Sequence, residues 1–313
     1  MLAVIGEHVV DLLPTTDGLY RPALGGSPFN VAIAAARQGI DVRYLSPFSD
    51  DRFGQQFLHY LEQQGAQYGL SFFSRQPSSL ALVSFDQHRQ PAYSLYRQGV
   101  ADRAVTPEQQ IAALPADCRL LHLGSLAFEP EDASRILAVM AYARRQGIQL
   151  AIDINVRLSA VSDANLYREL LLKVISKSHY IKASDEDLQL LWPELSGDEA
   201  IQRLQQLAPS ALLALTRGEH GASLYWQQHQ LQQEVIKAEP FVDAVGAGDT
   251  FWANLLAALL RLQLPDATNI SETALSQCLQ RAMLAASLNI RQAGCQPPDK
   301  KMLDGALDSN EAN

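Results

Sequence analysis

A short loop of small residues, followed directly by an amphipathic helix, is the stretch of the sequence best suited to chemistry. Gly246 and Gly248 flank an alanine, and Asp249 follows them. Apolar residues spaced three and four apart predict the helix: Phe251, Leu255, Ala258, Leu259 and Leu262. Amides at the start of a helix lack partners within it, and the helix dipole favours negative charge beside them. The loop is therefore a candidate anion site, in which the glycines leave room for a ligand.

Asp249 stands beside this candidate anion site, although its carboxylate has the same charge as the expected ligand. One interpretation is a general base, because a hydroxyl group that attacks a phosphoryl group must lose its proton to an acceptor close by. The other is a helix N-cap, which Asp favours, with the two glycines shaping an ordinary turn. The spacing of the residues leaves both interpretations open.

Residues 243–251 resemble the C-terminal signature of the ribokinase-like (PfkB) carbohydrate kinases, which usually reads D-T-x-G-A-G-D-T/S-F. The one departure is Ala244, where the family commonly has Thr. The resemblance implies that Asp249 is the catalytic base. It also implies a three-layer α/β/α sandwich with a mostly parallel central sheet and a small β-sheet lid. The anion hole for the transferred phosphoryl group would then be formed by Gly246, Ala247 and Gly248.

A second glycine-rich stretch, near the N-terminus, starts another predicted helix. Ser27 is a suitable N-cap and Pro28 suits the first helical position. Capping does not explain Gly25, Gly26 and Asn30. They resemble the family's first signature, G-G-x-x-x-N-x-A, which implies that the glycines admit a sugar close to the backbone and that Asn30 hydrogen-bonds its hydroxyl groups. The alternative is a helix-start turn in which Asn30 faces solvent.

Asp11 lies among apolar neighbours shortly after the first predicted strand, residues 1–6. Ligands collect at the carboxyl ends of the strands in open parallel sheets. Asp nevertheless prefers the surface in general, so the residues alone favour a loop acid over a ligand. Residues 6–11 resemble the pattern of fructokinase-like members of the family. That resemblance implies that Asp11 accepts hydrogen bonds from sugar hydroxyl groups.

Two segments of alternating character, residues 80–85 and 92–97, are joined by the polar residues 86–90. This pattern predicts an antiparallel hairpin. The family has a small β-sheet lid at this place, so Arg97 is a candidate to reach the substrate. The alternative is an arginine on the surface of its strand.

Polar residues at alternate positions follow the predicted strand 149–152. They are Asp153, Asn155 and Arg157. Side chains at alternate positions just past a parallel strand point into one crevice, although a loop with an Asp cap has the same pattern. Sugar-kinase relatives show D-x-N-x-R here, which implies that Asp153 and Asn155 bind the substrate. Arg157 would approach the transferred phosphate, because an arginine fork suits phosphoryl oxygens.

The strand predicted at residues 179–181 leads into Lys182, Ser184 and Asp187. Ser184 and Asp187 have the spacing of a capping box, which needs no ligand. In the family this position carries N-x-x-E, whose acid helps to organise magnesium and phosphate, and this chain replaces both residues. The resemblance implies that Lys182 and Asp187 face the nucleotide, with Glu186 competing for the role of Asp187.

Further nucleotide and cation sites follow from the resemblance. The family lays the ATP phosphates on T-x-G-x-x-G, which here supplies Thr216, Gly218 and Gly221, although a β-turn with two glycines has the same pattern. The end of the last long helix and the loop after it resemble the family's adenine-side and monovalent-cation loop, which implies that Asn289 contacts the nucleotide. The candidates for the cation are Asp243, Val245 and Gly294.

Composition narrows the class of protein. Of 313 residues 47% are hydrophobic and 19% charged, as in soluble globular proteins, and the net charge of −9 argues against a nucleic-acid or anionic-membrane surface. The sequence shows no apolar run of bilayer-spanning length and no signal sequence, and its three cysteines suggest neither a disulfide framework nor a zinc site. We expect a cytoplasmic protein of one domain, residues 1–313, with lid segments at about residues 8–24 and 71–104.

The sequence predicts an ATP-dependent sugar kinase that uses Mg²⁺, with K⁺ as a further candidate cation. Fructose is the first candidate substrate, and 2-keto-3-deoxygluconate, ribose or a nucleoside are the alternatives. A sugar- or nucleotide-binding sensor without turnover is the alternative from another class. A homodimer paired through the lids is a habit of the family, and neither nucleic acid nor a membrane is expected as a partner.

Overall fold

Two β-sheets of different size form the framework of the chain. The computed structural model describes residues 1–85, 91–227, 229–264 and 270–311. Its strands are β1 (Leu2–Ile5), β2 (Val9–Pro14), β3 (Tyr20–Gly25), β4 (Val42–Tyr44), β5 (Gln67–Tyr68), β6 (Ser79–Phe85), β7 (Pro91–Tyr96), β8 (Leu120–Gly124), β9 (Gln149–Asp153), β10 (Tyr180–Ser184), β11 (Leu212–Thr216), β12 (Ala222–Trp226) and β13 (His229–Gln233). Its α-helices are α1 (Ser27–Arg37), α2 (Arg52–Gln63), α3 (Pro107–Ala112), α4 (Ala133–Arg145), α5 (Ala164–Ile175), α6 (Asp185–Leu191), α7 (Gly197–Leu207), α8 (Ala247–Arg261), α9 (Glu272–Asn289) and α10 (Lys300–Glu311).

The larger sheet has nine strands in the order β13-β12-β11-β10-β9-β8-β1-β4-β5. Every neighbouring pair from β11 to β5 is parallel, whereas β12 is antiparallel to both β11 and β13. The strand-helix-strand unit expected from the sequence is β8, α4 and β9, paired in register from Leu120 with Gln149 to Gly124 with Asp153. The predicted mostly parallel central sheet is confirmed.

Alternate side chains of the central strand β1 enter two separate cores. Leu2 and Val4 pack in a core that includes apolar residues of α1, α2, α8 and α9. Ala3 and Ile5 pack in another that includes apolar residues of α4, α5, α6 and α7. Successive residues of a strand point to opposite faces of the sheet, so each face is covered by its own layer of helices. The predicted three-layer α/β/α sandwich is confirmed.

The smaller sheet has four strands in the order β3-β2-β6-β7. β2 is antiparallel to β3 and parallel to β6, and β6 is antiparallel to β7. The predicted hairpin is confirmed by this last pair, while its turn at residues 86–90 lies outside the described residues. The strands come from the two segments in which a lid was expected, so a small sheet accompanies the large one as predicted.

The chain passes from the large sheet to the small one directly after β1, and this crossing is tightly packed against α1. A Cβ on Gly6 would lie only 2.2 Å from Cγ of Pro28, so no larger residue fits there unless the proline ring or its surroundings shift. The carboxyl end of β1 therefore meets the N-terminus of α1. Ligand sites of parallel sheets form at such strand ends.

One local prediction is wrong. Gly26 takes the cap position of α1 with φ 112°, and Ser27 is the first helical residue and not the N-cap. At the other end of the chain, the polar residues up to 311 belong to α10. Leu303 of that helix is fully buried against Leu284 and Ala285 of α9, which supply the apolar surface that one stripe of a polar helix needs.

Within the described ranges, no helix combines the length and the apolar character that crossing a bilayer requires.

Candidate active site

The N-terminus of α8 is built on Gly246, which adopts a left-handed φ of 73°. A Cβ there would lie 2.3 Å from Sγ of Cys295, so both the backbone conformation and the packing require glycine. The amide of Ala247 donates to the carbonyl oxygen of Ala244 at 3.1 Å. The amides of Gly248 and Asp249 have no acceptor within the described part of the chain, as expected for the first turn of a helix.

Asp249 is the third residue of α8, and Gly246 occupies the cap, so the interpretation of Asp249 as an N-cap is wrong. Ser27 Oγ donates to its Oδ1 at 2.7 Å, and Asn30 Nδ2 donates to its Oδ2 at 2.8 Å. The solvent-facing alternative for Asn30 is therefore also wrong. These two bonds join the starts of α1 and α8 and orient the carboxylate, which keeps further lone pairs for a ligand.

Gly25 and Gly26 allow the backbone to approach the end of β1 and the strand that follows it. A Cβ on Gly26 would lie 2.6 Å from the carbonyl oxygen of Glu7, and a Cβ on Gly25 would lie 2.8 Å from Oδ2 of Asp11. The φ of 112° at Gly26 adds a backbone reason for glycine. Asp11 lies on β2 beside Gly25, and burial raises the pKa of its carboxyl group to about 6.

A cavity of about 760 Å³ lies between the small sheet and the start of α8, and we call it the lid-side cavity. Its lining brings together many of the residues predicted from the sequence: Asp11, Gly26, Asn30, Asn155, Arg157, Lys182, Gly246, Gly248 and Asp249. It also includes residues to which the sequence analysis gave no ligand role: Glu7, Ser27, Tyr93 and Ser125. Motifs far apart in the chain thus converge on one polar cavity.

Asp153 and Lys182 form a buried ion pair on the neighbouring strands β9 and β10. Lys182 Nζ lies 2.9 and 2.8 Å from the two carboxylate oxygens. Burial disfavours the ammonium ion, but the Asp153 carboxylate more than compensates, and the pKa of Lys182 is raised. A Cβ on Gly248 would lie 3.4 Å from Nζ, so Lys182 reaches the start of α8. Asp153 itself is fully buried and does not line the cavity.

Asp187 supports the loop that carries Asn155 and Arg157. Its Oδ1 accepts a hydrogen bond from the amide of Val156 at 2.7 Å, and its Oδ2 accepts one from the amide of Ser184 at 2.8 Å. The predicted capping box is present, and it buries Asp187. The structure does not bring Asp187 to the lining of the lid-side cavity. Its contacts instead fix the loop from which Asn155 and Arg157 line the lid-side cavity.

Arg97 is absent from the cavity lining. Its Nε lies 2.7 Å from Oε1 of Glu129, and its Nη1 lies 2.9 Å from Oδ2 of Asp102 and 3.1 Å from Oγ of Ser79. The residue is only 7% exposed, so the interpretation as a surface arginine is wrong. Two carboxylates engage the guanidinium group, which ties the base of the small sheet to the segment around Asp102.

A second cavity, of about 500 Å³, lies beside α8 and α9, and we call it the α8–α9 cavity. Thr216, Gly218 and Gly221 line it, as does Gly248. Much of the remaining wall is apolar and includes Ile236, Phe251, Met283, Ala286 and Ile290. Because Gly248 lines both cavities, the two meet at the start of α8.

The residues predicted for a monovalent cation are joined by hydrogen bonds in one loop cluster. Asp243 accepts from the amides of Gly294 at 2.8 Å and Val245 at 3.0 Å. Asn289 Nδ2 donates to the carbonyl oxygen of Val245 at 2.9 Å, and its Oδ1 accepts from the amide of Gln296 at 2.7 Å. Asn289 is fully buried and does not line the α8–α9 cavity. In the part of the chain that the structure describes, no three His, Cys, Asp or Glu side chains cluster in a way that could hold a metal ion.

Glu7 and Ser125 line the lid-side cavity, although the sequence analysis gave neither a role: Glu7 lies within the pattern of residues 6–11, in which only Asp11 was assigned. Each directly follows a glycine at the end of a parallel strand, Glu7 after β1 and Ser125 after β8. That position is the one sequence signal that could have identified them, because ligands collect at such strand ends. Ser27 was assigned to capping, which concealed its contact with Asp249.

Residues 1–302 of this chain match the family described as "pfkB family carbohydrate kinase". The chain belongs to that family. The kinase resembles in sequence a fructokinase from Klebsiella pneumoniae, with 30% identity over 310 residues, which cover 97% of this chain and 98% of the relative. The predictions of family and of a carbohydrate kinase activity are confirmed.

Solved structures show the same fold. A fructokinase with bound ATP from Xylella fastidiosa aligns with the kinase at a TM-score of 0.89 and 22% identity, covering 99% of this chain and 98% of the other. A double mutant of fructokinase from Vibrio cholerae, in a form with fructose, ADP and potassium ion bound, aligns at a TM-score of 0.80 and 24% identity, covering 98% and 97%. The predicted ribokinase-like fold is therefore confirmed.

Proposed function

We propose that this carbohydrate kinase transfers the γ-phosphoryl group of ATP to a primary hydroxyl group of a small neutral sugar, with fructose as the first candidate. The observation that carries the proposal is the position of Asp249. Its carboxylate lines the lid-side cavity at the start of α8, where the α8–α9 cavity also opens. The polar cavity suits a sugar and the apolar one suits a nucleobase. A fructokinase of the same fold, from Vibrio cholerae, has both fructose and ADP bound, which supports a site for each kind of ligand.

In the proposed mechanism Asp249 accepts the proton of the attacking sugar hydroxyl group. Ser27 and Asn30 hold its carboxylate in one orientation, so that the remaining lone pairs can meet the substrate. The open amides of Gly248 and Asp249 would bind the transferred phosphoryl group with help from the dipole of α8. Gly246 and Ala247 shape the turn that presents these amides.

The cations of the lid-side cavity favour a neutral sugar over a sugar acid. Its described lining contains two of them, Arg157 and Lys182. Lys182 is already paired with Asp153, and Arg157 suits the oxygens of the transferred phosphoryl group. A substrate such as 2-keto-3-deoxygluconate would need another cation for its carboxylate. Arg97, the candidate from the small sheet, is engaged by two carboxylates.

Asp11, Asn30 and Asn155 are the groups that we propose for the sugar hydroxyl groups. All three line the lid-side cavity. Carboxylates accept hydrogen bonds from hydroxyl groups, and amide side chains both donate and accept them, so the set suits a polyol. Asp153 would act through Lys182, which it holds at the edge of the cavity.

We propose that ATP occupies the α8–α9 cavity, with its base against the apolar wall and its phosphates between Thr216, Gly218 and Gly248. Mg²⁺ bound to the phosphates would neutralise charge that develops during the transfer. The carboxylate of Asp243 and the carbonyl of Val245, held near Gly294, offer oxygen ligands of the kind that suit K⁺.

We further propose a cytoplasmic enzyme that forms a homodimer through its small sheets. Free cysteines such as Cys118 and Cys278 suit a reducing compartment. Leu19, Tyr20 and Tyr96, on or beside the small sheet, have exposed fractions of 65%, 48% and 60%, and apolar surface of this kind marks interfaces. Analytical ultracentrifugation of the purified protein should give the mass of a dimer, and a monomer at micromolar concentration would contradict the pairing.

The test of the proposed function is ATP consumption by the purified protein in the presence of Mg²⁺ and K⁺. Fructose, ribose, 2-keto-3-deoxygluconate, aminoimidazole riboside and adenosine would be compared as acceptors. We expect the highest kcat/KM with fructose. Turnover of the sugar acid in preference to fructose would contradict the neutral-sugar assignment. Binding of ATP without turnover of any acceptor would instead favour a sensor.

A further inference from the structure

Glu7 is a buried carboxyl group to which the proposed reaction gives no role. It directly follows Gly6, where the chain leaves β1, and it lines the lid-side cavity while being only 2% exposed. Its Oε2 has no hydrogen-bond partner within the described residues. A buried carboxyl oxygen without a donor is costly, and native proteins rarely retain one without a reason. Beside a cavity, such an atom indicates that a ligand supplies the missing donor.

Ser125 provides a second, independent observation at the same place. It lines the lid-side cavity, and its backbone has a φ of 55°, a left-handed conformation that is uncommon for serine. The Ser125 side chain favours the charged form of Glu7 and so lowers the pKa of its carboxyl group, against the larger effect of burial. β1 and β8 are neighbouring parallel strands, so Glu7 and Ser125 form one polar floor at their carboxyl ends.

Arg97, the cation near Glu7, already has two other carboxylates as partners. Burial raises the pKa of Glu7 to about 7, an effect that nearby Arg97 opposes and Asp102 reinforces. Arg97 is paired with both Asp102 and Glu129. His8, the next residue, is neutral at pH 7, because burial lowers its pKa to about 4. Arg97 therefore does not depend on Glu7 as a counter-charge, which leaves the carboxyl group available to a ligand.

We propose that Glu7 positions the sugar, with its Oε2 accepting a hydrogen bond from a hydroxyl group of the bound substrate and Ser125 holding the carboxyl group in that orientation. This inference rests on the proposed function and extends it. Different residues at the start of α1 contact the two carboxyl groups. Gly26 packs on the backbone of Glu7, whereas Ser27 and Asn30 donate hydrogen bonds to Asp249. Glu7 thus serves recognition of the sugar, and Asp249 serves the chemical step.

The first arm of the test measures steady-state kinetics of Glu7→Gln with fructose and ATP. We expect KM for fructose to rise by about 10- to 100-fold, the usual cost of losing a hydrogen bond to a buried charged group. KM for ATP and kcat should change by less than about threefold, because the phosphoryl site is untouched. Ser125→Ala should shift KM for fructose in the same direction by a smaller factor.

The second arm compares monodeoxy analogues of fructose. With the wild-type protein, one analogue should have a KM higher than that of fructose by about the factor seen for Glu7→Gln. With Glu7→Gln, the same analogue and fructose should have equal KM values, because the two changes remove the same hydrogen bond. The control is Glu129→Gln, another buried carboxyl group beside Arg97 that does not line the cavity. It should lower the melting temperature and leave KM for fructose unchanged.

Two results would overturn the inference: an unchanged KM for fructose in Glu7→Gln, or equal changes of KM in Glu7→Gln and Glu129→Gln, which would mean a purely structural role. Either result leaves the kinase assignment intact, provided that the wild-type protein phosphorylates fructose. If the wild-type protein phosphorylates no sugar, the proposed function fails and the inference fails with it.

Discussion

Asn30 donates a hydrogen bond of 2.8 Å to the carboxylate of Asp249, although 219 positions separate the two residues in the chain. The bond joins the first turn of α1 to the first turn of α8. It unites the two glycine-rich stretches in one site and fixes the group that we propose as the base. Positioning of this kind contributes to catalysis because a base must meet the reacting proton in a defined geometry.

Removing one of the groups that orient Asp249 should slow the chemical step. In Asn30→Ala the carboxylate loses its partner on Oδ2, and we expect kcat to fall by about 10-fold, with a similar fall in Ser27→Ala. The two effects should not add fully, because either loss frees the same side chain. Steady-state kinetics at saturating ATP and sugar measure this. Unchanged kcat in both variants would contradict a positioning role.

Gly248 and Gly246 should respond differently to alanine. Gly248 is the second residue of α8 and lines both cavities, so Gly248→Ala should lower kcat/KM at least about 10-fold while leaving the protein equally stable or slightly more stable, because Ala favours helix. Gly246→Ala should lower the melting temperature, because its φ is 73° and a Cβ would meet Cys295. Thermal unfolding and kinetics separate the two effects. A marked loss of stability in Gly248→Ala would contradict this distinction.

The buried pair of Lys182 and Asp153 makes a prediction about stability. In Lys182→Met the Asp153 carboxylate stays buried without a partner, and we expect the free energy of unfolding to fall by about 3–5 kcal/mol. The double variant Lys182→Met/Asp153→Leu should recover most of that loss, because it buries no charge. Urea unfolding measures both. Equal destabilisation in the single and double variants would show that the charge of Asp153 is not the cause.

The raised pKa of Glu7 predicts how stability depends on pH. Burial raises the pKa from 4.5 to about 7, so the folded protein holds this proton more tightly than the unfolded chain does. The resulting stabilisation is complete below pH 4.5 and is lost as the pH rises through 7. Glu7→Gln has no such loss. The wild-type protein should therefore lose melting temperature relative to Glu7→Gln by about 5 °C between pH 5 and pH 8. A difference in melting temperature that stays constant over this range would contradict the raised pKa of Glu7.

Local patterns predicted the framework of the site. The strand-helix-strand order indicated a parallel sheet, and the small residues before a predicted helix indicated a candidate anion site at residues 246–249. These predictions rest on backbone geometry and helix starts, which a few neighbouring residues determine. The roles of Asn30 and Asp249 came from the family resemblance. The contact of Asn30 with Asp249 was not predicted, because spacing within the chain carries no information about a contact across 219 positions.

Side chains whose role depends on distant partners could not be predicted in the same way. Arg97 lies at the end of a strand, and its sequence neighbours do not reveal that Glu129, 32 positions later, engages its guanidinium group. Asn289 was expected at the nucleotide, but two loops that fold back on α9 use its amide group. Ser27 fits the pattern of a helix cap, and its bond to Asp249 depends on the packing of α1 against α8.

The most direct test of the central claim is the rate of sugar phosphorylation by Asp249→Asn. The change keeps the size of the side chain. Its amide oxygen can still accept from Asn30, and its new NH₂ group can donate to the Ser27 hydroxyl group. Because the change removes the basic oxygen, we expect kcat to fall by about 10²- to 10⁴-fold with little change in KM for ATP or in the melting temperature. Asp198→Asn, a change at an exposed carboxylate in the first turn of α7 that lines neither cavity, serves as the matched control. A kcat of Asp249→Asn within about threefold of the wild-type value would contradict the assignment of Asp249 as the base.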